Sequence, residues 1–200
     1  MGGMIAQAYA LAYANEAAPD ASSTSVAGTT IKNPQILSLT LACTYARPSP
    51  FCTRMFALWS DMAQHMSVKA VMRDVLLWAF TVPFFLTREA EVREFEAAME
   101  ALDMDTATYL AQLNVIQTFD TVAQLETLSG QGKVLGGVRK GRVLVIAGEE
   151  DILIPVLLSR ELHGLVEGAQ WTTTKGGHGC MWEFPNEFNH AYIAFLQRSS

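Results

Sequence analysis

The stretch Arg142–Asp151, RVLVIAGEED, decides the fold of this chain. Its first residues, RVLVIA, form an almost uninterrupted apolar run, which is typical of a strand buried on both faces of a parallel sheet. A glycine and two glutamates separate this run from Asp151, so the aspartate is expected in the loop at the carboxyl end of the strand. Open α/β sheets place their functional groups at that end. We therefore predict an α/β fold with an acidic group at the functional edge of its sheet.

Two other segments have the length and composition of strands, Ile36–Cys43 (ILSLTLAC) and Ala169–Thr174 (AQWTTT). A short amphipathic helix is expected between the second and third strands, over Ile154–Val166, and it opens at Pro155 as helices often do. Each connection between the three strands contains helix and is too long for a hairpin. The strands should therefore lie side by side and parallel. Further helices are predicted over Met4–Asn15 and Asn186–Gln197.

The residues from Phe51 to about Leu128 predict a block of helices inserted between the first two strands. The expected helices are Phe51–His65, Val68–Phe80, Glu89–Leu102 and Thr106–Phe119, with breaks at Pro83 and around 103–105. Small and polar residues over 17–30 predict a surface loop. The chain is thus expected to divide into residues 1–50 and 129–200, which form the α/β core, and residues 51–128, which form the helical insertion.

Composition narrows the class of protein. Half of the 200 residues are apolar, which is enough for a sizeable core, and the net charge of −6 with scattered basic residues argues against nucleic-acid binding. The uncharged run Val75–Thr87 is interrupted by Pro83 and falls short of the ~20 residues that cross a bilayer. No basic residue precedes Lys32, so an export signal is not predicted. Three widely spaced cysteines argue against a zinc site and a disulfide framework, and a reducing, cytoplasmic setting is expected.

A glycine-flanked histidine follows the third strand in Lys175–Gly179, KGGHG. His178 is therefore expected at the same sheet edge as Asp151, where a carboxylate on Nδ1 would fix the tautomer and leave Nε2 as a general base. Two alternatives stay open at this point. The acids Glu149, Glu150 and Asp151 could simply solvate a turn, and His178 could be a surface residue. The remaining histidines, His65, His163 and His190, lie in predicted helices and are interpreted as surface or packing residues, and no metal or cofactor site is predicted.

Three segments carry a family resemblance. VLVIAGEEDILIP (143–155) and GGHGCMWEFPNEF (176–188) are similar to the acid and histidine segments of α/β hydrolases, and MGGMIAQAYALAYA (1–14) resembles the segment directly after the serine of their GxSxG nucleophile elbow. The resemblance implies the C-terminal half of an α/β-hydrolase parallel sheet with an inserted helical cap. Within the family the chain looks most like small lactonases, esterases and peroxidase-like members. One departure is that 17–30 is longer than the usual connection after the elbow helix.

The resemblance also implies roles for individual residues. Asp151 matches the catalytic acid, His178 matches the general base, and the backbone N–H of Met1 matches one of the two oxyanion-hole donors. The nucleophilic serine would precede Met1. Four serines could in principle substitute for it, but none stands in a GxSxG pattern: Ser38, Ser49, Ser60 and Ser67. The implied activity is hydrolysis of small esters or lactones through an acyl-enzyme, with the nucleophile outside these 200 residues.

Several alternatives remain open on the sequence alone. The chain could be a non-catalytic ligand-binding protein or a truncated pseudoenzyme on the same scaffold, and the same triad could form a peracid for halide oxidation. Aromatic residues of the helical block suggest a hydrophobic ligand, although such residues form core more often than pocket: Phe56, Trp59, Trp78, Phe80, Phe84 and Phe85. By the family plan a strand would precede Ile36–Cys43 in the sheet, so an unpaired edge and self-association are expected there.

Overall fold

The computed structural model describes residues 1–16, 24–26, 29–31 and 36–198. Its strands are β1 (Thr24–Val26), β2 (Thr29–Ile31), β3 (Leu39–Ala42), β4 (Val143–Gly148) and β5 (Gln170–Thr174). Its helices are α1 (Gly2–Glu16), α2 (Pro50–His65), α3 (Val68–Ala79), α4 (Val82–Thr87), α5 (Glu89–Glu100), α6 (Thr106–Thr118), α7 (Val122–Gly130), α8 (Val156–Leu165), α9 (Cys180–Glu183) and α10 (Pro185–Arg198). Strand–helix–strand units with a parallel sheet make this an α/β fold, as the sequence predicts.

The three predicted strands form one parallel sheet in the order β3-β4-β5, which confirms their arrangement. Leu39 aligns with Val143, and Leu144 aligns with Gln170. β3 begins at Leu39, three residues later than the sequence suggests, because the side chain of Arg142 holds the carbonyl of Leu37 through a 2.9 Å hydrogen bond in place of a ladder partner. Among the described residues, β3 has a paired neighbour on one side only.

The central position of β4 in the sheet explains why its sequence is almost wholly apolar. All six of its residues are buried. Val143 and Val145 pack into a cluster with residues of α1, α7 and α8, whereas Leu144 and Ile146 pack against Phe195 of α10 on the opposite face. Successive side chains of a strand point to opposite faces, so helices on both sides of the sheet require apolar residues at every position.

The inserted segment is helical, as predicted, but it differs in detail from the sequence interpretation. Pro83 is predicted to mark a break, and instead it lies in the first turn of α4. Backbone N–H groups in the first turn have no acceptor within the helix, so a proline there costs no hydrogen bond. The helices α2, α3 and α6 begin at serine or aspartate caps, whose side chains accept backbone N–H groups: Ser49, Ser67 and Asp105. An additional helix, α7, returns the chain to the sheet through Leu125 and Leu128.

The loop predicted over 17–30 is only partly described. Residues 17–23 and 27–28 lie outside the described residues, whereas β1 and β2 form a short antiparallel pair in which Thr24 aligns with Ile31. The prediction of a loop is therefore wrong for these two strands. Their residues are mostly β-branched, which favours extended backbone over a loop. The subdivision into residues 1–50, 51–128 and 129–200 remains a prediction.

The helices are short relative to the thickness of a bilayer. Within residues 1–16 and 36–198, no helix combines the length and the apolar character that a membrane span requires. The uncharged run Val75–Thr87 is divided between α3 and α4, with Phe80 and Thr81 between them in extended conformation.

Candidate active site

Of the three acidic residues in the loop after β4, one has its side chain inside the protein. The carboxylate of Asp151 is buried, and its Oδ1 accepts a 2.8 Å hydrogen bond from the backbone N–H of Ile154. Glu150 is exposed, and the exposed Glu149 accepts a hydrogen bond from the hydroxyl of Thr173. The structure therefore places Asp151 inside the protein and leaves the two glutamates at the surface.

The buried carboxylate meets the predicted histidine. Nδ1 of His178 lies 2.9 Å from Oδ2 of Asp151, across 27 residues of sequence, which confirms the predicted approach of the two side chains. A carboxylate can only accept, so Nδ1 carries the proton and Nε2 is left as the basic nitrogen of the ring. The His178 side chain is 31% exposed while that of Asp151 is inaccessible. This geometry orients the imidazole for proton transfer at Nε2.

The glycines around His178 allow its loop to sit tightly between the sheet and α3. Gly176 has a left-handed backbone (φ 95°), which glycine adopts without strain. The N–H of Gly179 donates to the carbonyl of Ala79 at 2.8 Å, and the N–H of Glu150 donates to the carbonyl of Gly176 at 2.9 Å. The loop is thus held from both sides by backbone hydrogen bonds.

A residue that sequence reasoning missed also holds this loop. Glu183 is buried, and its Oε1 accepts a 2.7 Å hydrogen bond from the N–H of Gly177. Its Oε2 accepts from both the N–H and the hydroxyl of Thr81, which precedes α4. Buried carboxylates are rare without such donors. The burial of a charged residue five positions after His178 has no periodic signal in the sequence, so composition and spacing could not reveal it.

The histidine opens onto a cavity of about 260 Å³ beneath the inserted helices. Most of the side chains around it are apolar, and Phe56 and Trp59 are the aromatic residues of the predicted set that line it. Phe80, Phe84 and Phe85 pack together with α5 instead, and Trp78 donates its indole N–H to Asp74. The apolar lining includes Met4, Met72, Val75, Met104, Leu113, Ile116, Leu153 and Ile154.

Polar groups are few in this cavity. Thr44 and Gln112 contribute to its wall, and Tyr45 does so while its hydroxyl donates to the carbonyl of Ile116 at 2.7 Å. Met1 lines the same cavity as His178. Burial lowers the pKa of the Met1 amine below its ordinary value. The oxyanion-hole role of Met1 remains a prediction.

Two buried thiols lie beside the acid and the histidine. The sulfurs of Cys43 and Cys180 are 3.7 Å apart, and Cys43 has a left-handed backbone (φ 47°), which is uncommon for a residue other than glycine. The hydrogen bond from Cys43 lowers the pKa of the Cys180 thiol to about 7, whereas the same bond and burial raise the pKa of Cys43 well above its usual range. Sequence reasoning did not anticipate this pair.

The sequence predicts no metal site, and the structure nevertheless gathers three possible ligand atoms. Donor atoms of Cys43, Asp151 and His178 all lie within 4.8 Å of one another. Both oxygens of Asp151 already accept hydrogen bonds, one from Ile154 and one from His178. The grouping is therefore accounted for as a hydrogen-bonded acid–histidine pair with a neighbouring thiol.

The other histidines are placed away from this site. Nδ1 of His65 lies 2.9 Å from the carbonyl of Asp61 within its own helix, and Nε2 of His163 lies 3.1 Å from the carbonyl of Ala169. His190 lies on α10. These positions agree with surface or packing roles.

Fold and site together define a class of protein. A parallel sheet carries an acid after one strand and a histidine after the next, and a helical insertion covers the cavity onto which the histidine opens. In α/β hydrolases the acid and the histidine follow the nucleophile in this chain order. The chain is a part of an α/β-hydrolase fold.

Comparisons with known proteins agree with this class. The chain is 25% identical over 154 residues to a protein of Caulobacter vibrioides that carries the name carbamate hydrolase RutD, covering 76% of this chain and 53% of the relative. The chain thus spans about half the length of the curated relatives it matches. No family profile matches it.

Solved structures show the same fold. The enol-lactonase of Burkholderia xenovorans LB400 superposes with a TM-score of 0.73 at 20% identity, covering 98% of this chain and 63% of that chain. An α/β-hydrolase enzyme from a Medee basin deep-sea metagenome library superposes with a TM-score of 0.72 at 18% identity, covering 98% and 62% of the two chains. At these identities the comparisons show the fold alone.

Proposed function

We propose that this chain supplies the acid and the base of a hydrolase that acts on small, apolar esters or lactones. The observation that carries the proposal is the 2.9 Å contact between Asp151 and His178, together with the position of His178 on the wall of an apolar cavity. Asp151 fixes the tautomer of the ring and stabilises the imidazolium that forms when Nε2 takes a proton. His178 is therefore the general base, and Asp151 orients it.

The nucleophile in this proposal is a serine directly before Met1. Met1 lines the cavity together with His178, so the residue that precedes it would lie near the imidazole. The hydroxyl would lose its proton to Nε2 while its oxygen attacks the substrate carbonyl, giving an acyl-enzyme that water then hydrolyses. As an amide within a longer chain, the N–H of Met1 would donate to the oxyanion of the tetrahedral intermediate.

The cavity suggests the substrate class. Its walls are formed mainly by methionine, aliphatic and aromatic side chains, which favour an apolar acyl or alkyl group, and its volume of about 260 Å³ suits a small molecule. Gln112, Thr44 and Tyr109 are among the lining residues with polar groups that could orient a carbonyl or ring oxygen. An enol-lactonase and a protein named as a carbamate hydrolase among the similar proteins are consistent with small carbonyl substrates.

The test begins with the reading frame upstream of Met1. A Gly-x-Ser ending directly before Met1 is expected, and the extended protein should hydrolyse p-nitrophenyl esters and small lactones with multiple turnovers. In that protein, Asp151→Asn should lower kcat by a factor on the order of 10⁴, because the wrong tautomer is then favoured. Glu149→Asn is the matched control, since the Glu149 side chain is exposed and should leave kcat nearly unchanged.

The opposite outcome would support the alternative. An upstream sequence without a serine at that position, or an extended protein whose activity is insensitive to Asp151→Asn, would indicate a non-catalytic ligand-binding chain on the same scaffold. Self-association is a related proposal, because β3 is an edge strand in the described sheet. Analytical ultracentrifugation of the chain and of the extended protein would show whether additional strands suppress it.

A further inference from the structure

Two of the three cysteines face each other beside the acid–histidine pair, although they are 137 residues apart in sequence. Cys43 follows β3, and Cys180 begins α9 two residues after His178. Both thiols are buried, but Cys43 also forms part of the cavity wall onto which His178 opens. Of these two cysteines, Cys43 is therefore the one that borders the cavity.

We propose that Cys43 and Cys180 form a dithiol site that a hydroperoxide entering the cavity oxidises to a disulfide. The sulfurs are 3.7 Å apart and have to approach to about 2.0 Å for the bond to form. The third cysteine, Cys52, cannot compete, because its sulfur is completely buried and pairs with the hydroxyl of Ser49. The inference concerns a modification site and does not depend on the proposed hydrolase activity.

The reaction balances in two steps. In the first, the Cys43 sulfur attacks the peroxide oxygen, the O–O bond breaks, and the thiol proton leaves with the alcohol or water, so that Cys43 becomes a sulfenic acid. In the second, the Cys180 sulfur attacks the sulfenic sulfur and displaces hydroxide, which leaves as water with the Cys180 proton. Two thiols are oxidised, and one hydroperoxide is reduced.

The low pKa of the Cys180 thiol, about 7, supports its part in the second step. An attacking thiol reacts best when its pKa lies near the ambient pH, because a sufficient fraction is then thiolate. The raised pKa of Cys43 leaves little of its thiolate at neutral pH, so the first step should be slow and should become faster as the pH rises. The pair thus combines a cysteine on the cavity wall with a readily ionised one that resolves it.

The disulfide would join the end of β3 to the loop that carries His178. Cys180 lies two residues after His178, so a shift of its sulfur toward Cys43 moves the backbone that positions the imidazole. The Nδ1–Oδ2 contact with Asp151 should respond to that shift. Oxidation is therefore expected to change the environment of His178 reversibly.

The experiment treats the reduced chain with hydrogen peroxide at neutral pH, and it then counts free thiols after denaturation. The count should fall from three to one per chain, and dithiothreitol should restore it. The linked peptides are mapped in Cys52→Ser, because Pro48 follows Arg47 and trypsin otherwise leaves Cys43 and Cys52 on one peptide, 33–54. The expected product joins this peptide to 176–198, which contains Cys180.

Variants separate the two steps. In Cys180→Ala the sulfenic acid on Cys43 has no resolving thiol, so a dimedone adduct should accumulate on Cys43. In Cys43→Ala no cross-link should form, and Cys180 should remain a thiol at the same peroxide dose. Circular dichroism confirms that each variant is folded before oxidation. In the wild-type chain, the NMR signals of the His178 ring should shift on oxidation and return on reduction.

Specific results would overturn the inference. A thiol count that stays at three, or a cross-link that involves Cys52, would show that the pair is not an oxidisable site. In Cys43→Ala, the contrary result is a dimedone adduct that forms on Cys180 as fast as the wild-type chain loses its thiols. That result would show that the peroxide does not react first with Cys43. An unchanged His178 signal in the oxidised chain would show that the disulfide does not act on the acid–histidine pair.

Discussion

The Oε1 atom of Glu183 accepts a 2.7 Å hydrogen bond from the backbone N–H of Gly177, the residue before His178. The other carboxylate oxygen of Glu183 binds Thr81, between α3 and α4. Glu183 therefore connects the histidine loop to the helical insertion. A buried group that satisfies three donors is costly to alter, because any donor left without an acceptor remains desolvated.

Glu183→Gln should lower the free energy of unfolding by about 1–3 kcal/mol. The glutamine side chain has one acceptor oxygen and an amide that faces a donor, so either Gly177 or Thr81 loses its partner. Urea unfolding measures the change. Glu187→Gln is the control, since its exposed ion pair with Lys175 should contribute less than about 1 kcal/mol. Equal losses in the two variants would contradict the importance of the buried contacts.

Gly148→Ala should push the loop that carries Asp151 away from the loop that carries His178. A Cβ at Gly148 would overlap the carbonyl oxygens of Gly176 and Gly177, which are backbone atoms and cannot rotate away. Overpacking of this kind is expected to cost about 1–3 kcal/mol of unfolding free energy. It should also weaken the His178 Nδ1–H signal in proton NMR, because the contact with Asp151 lengthens.

The control for this variant is Gly164→Ala in α8. A Cβ at Gly164 would have no heavy atom within 4 Å, and alanine has a higher helix propensity than glycine. The free energy of unfolding should stay the same or rise by up to about 1 kcal/mol. A loss in Gly164→Ala as large as that in Gly148→Ala would point to a general sensitivity of the fold to alanine, unrelated to the histidine loop.

The sequence predicts the sheet well, because β4 is buried on both faces and every residue had to be apolar. It also predicts the partners Asp151 and His178, since both follow parallel strands and the chain order matches a known family. It does not predict Glu183 or the pair of Cys43 and Cys180, whose contacts join residues about a hundred or more positions apart. Such contacts depend on how the loops fold back over the sheet, and no local periodicity encodes them.

The 200-residue chain should not turn over p-nitrophenyl acetate, because the proposed nucleophile precedes Met1. The Met1 nitrogen is here an amine whose pKa is lowered by burial, so a larger fraction is unprotonated at neutral pH. It should be acetylated once, and mass spectrometry should find one acetyl group on Met1 without further release of p-nitrophenol. His178→Ala should leave this single event unchanged. Multiple turnovers that vanish in His178→Ala would show that another residue of this chain acts as nucleophile.

The hydrogen-bonded thiols of Cys43 and Cys180 predict that the free energy of unfolding depends on pH. In the folded chain, the thiol pair loses its first proton near the pKa of about 7 of Cys180, while the raised pKa of Cys43 holds the second proton to much higher pH. In the unfolded chain both thiols titrate near about 8.5. Between these values the unfolded chain binds more protons, so the contribution of the pair to the unfolding free energy rises with pH.

Above about pH 8.5 the sign reverses, because the unfolded chain has lost both protons while the folded chain retains one. The contribution of the pair should therefore be largest near about pH 8 to 8.5 and smaller at about pH 6 and pH 10. Urea unfolding under reducing conditions measures the unfolding free energy of the wild-type chain and of the Cys43→Ala/Cys180→Ala double variant at each pH. The difference between the two proteins gives the contribution of the thiol pair, since the other titrating groups are common to both. A difference that falls steadily from acid to alkaline pH would show that the two buried thiols do not share a proton.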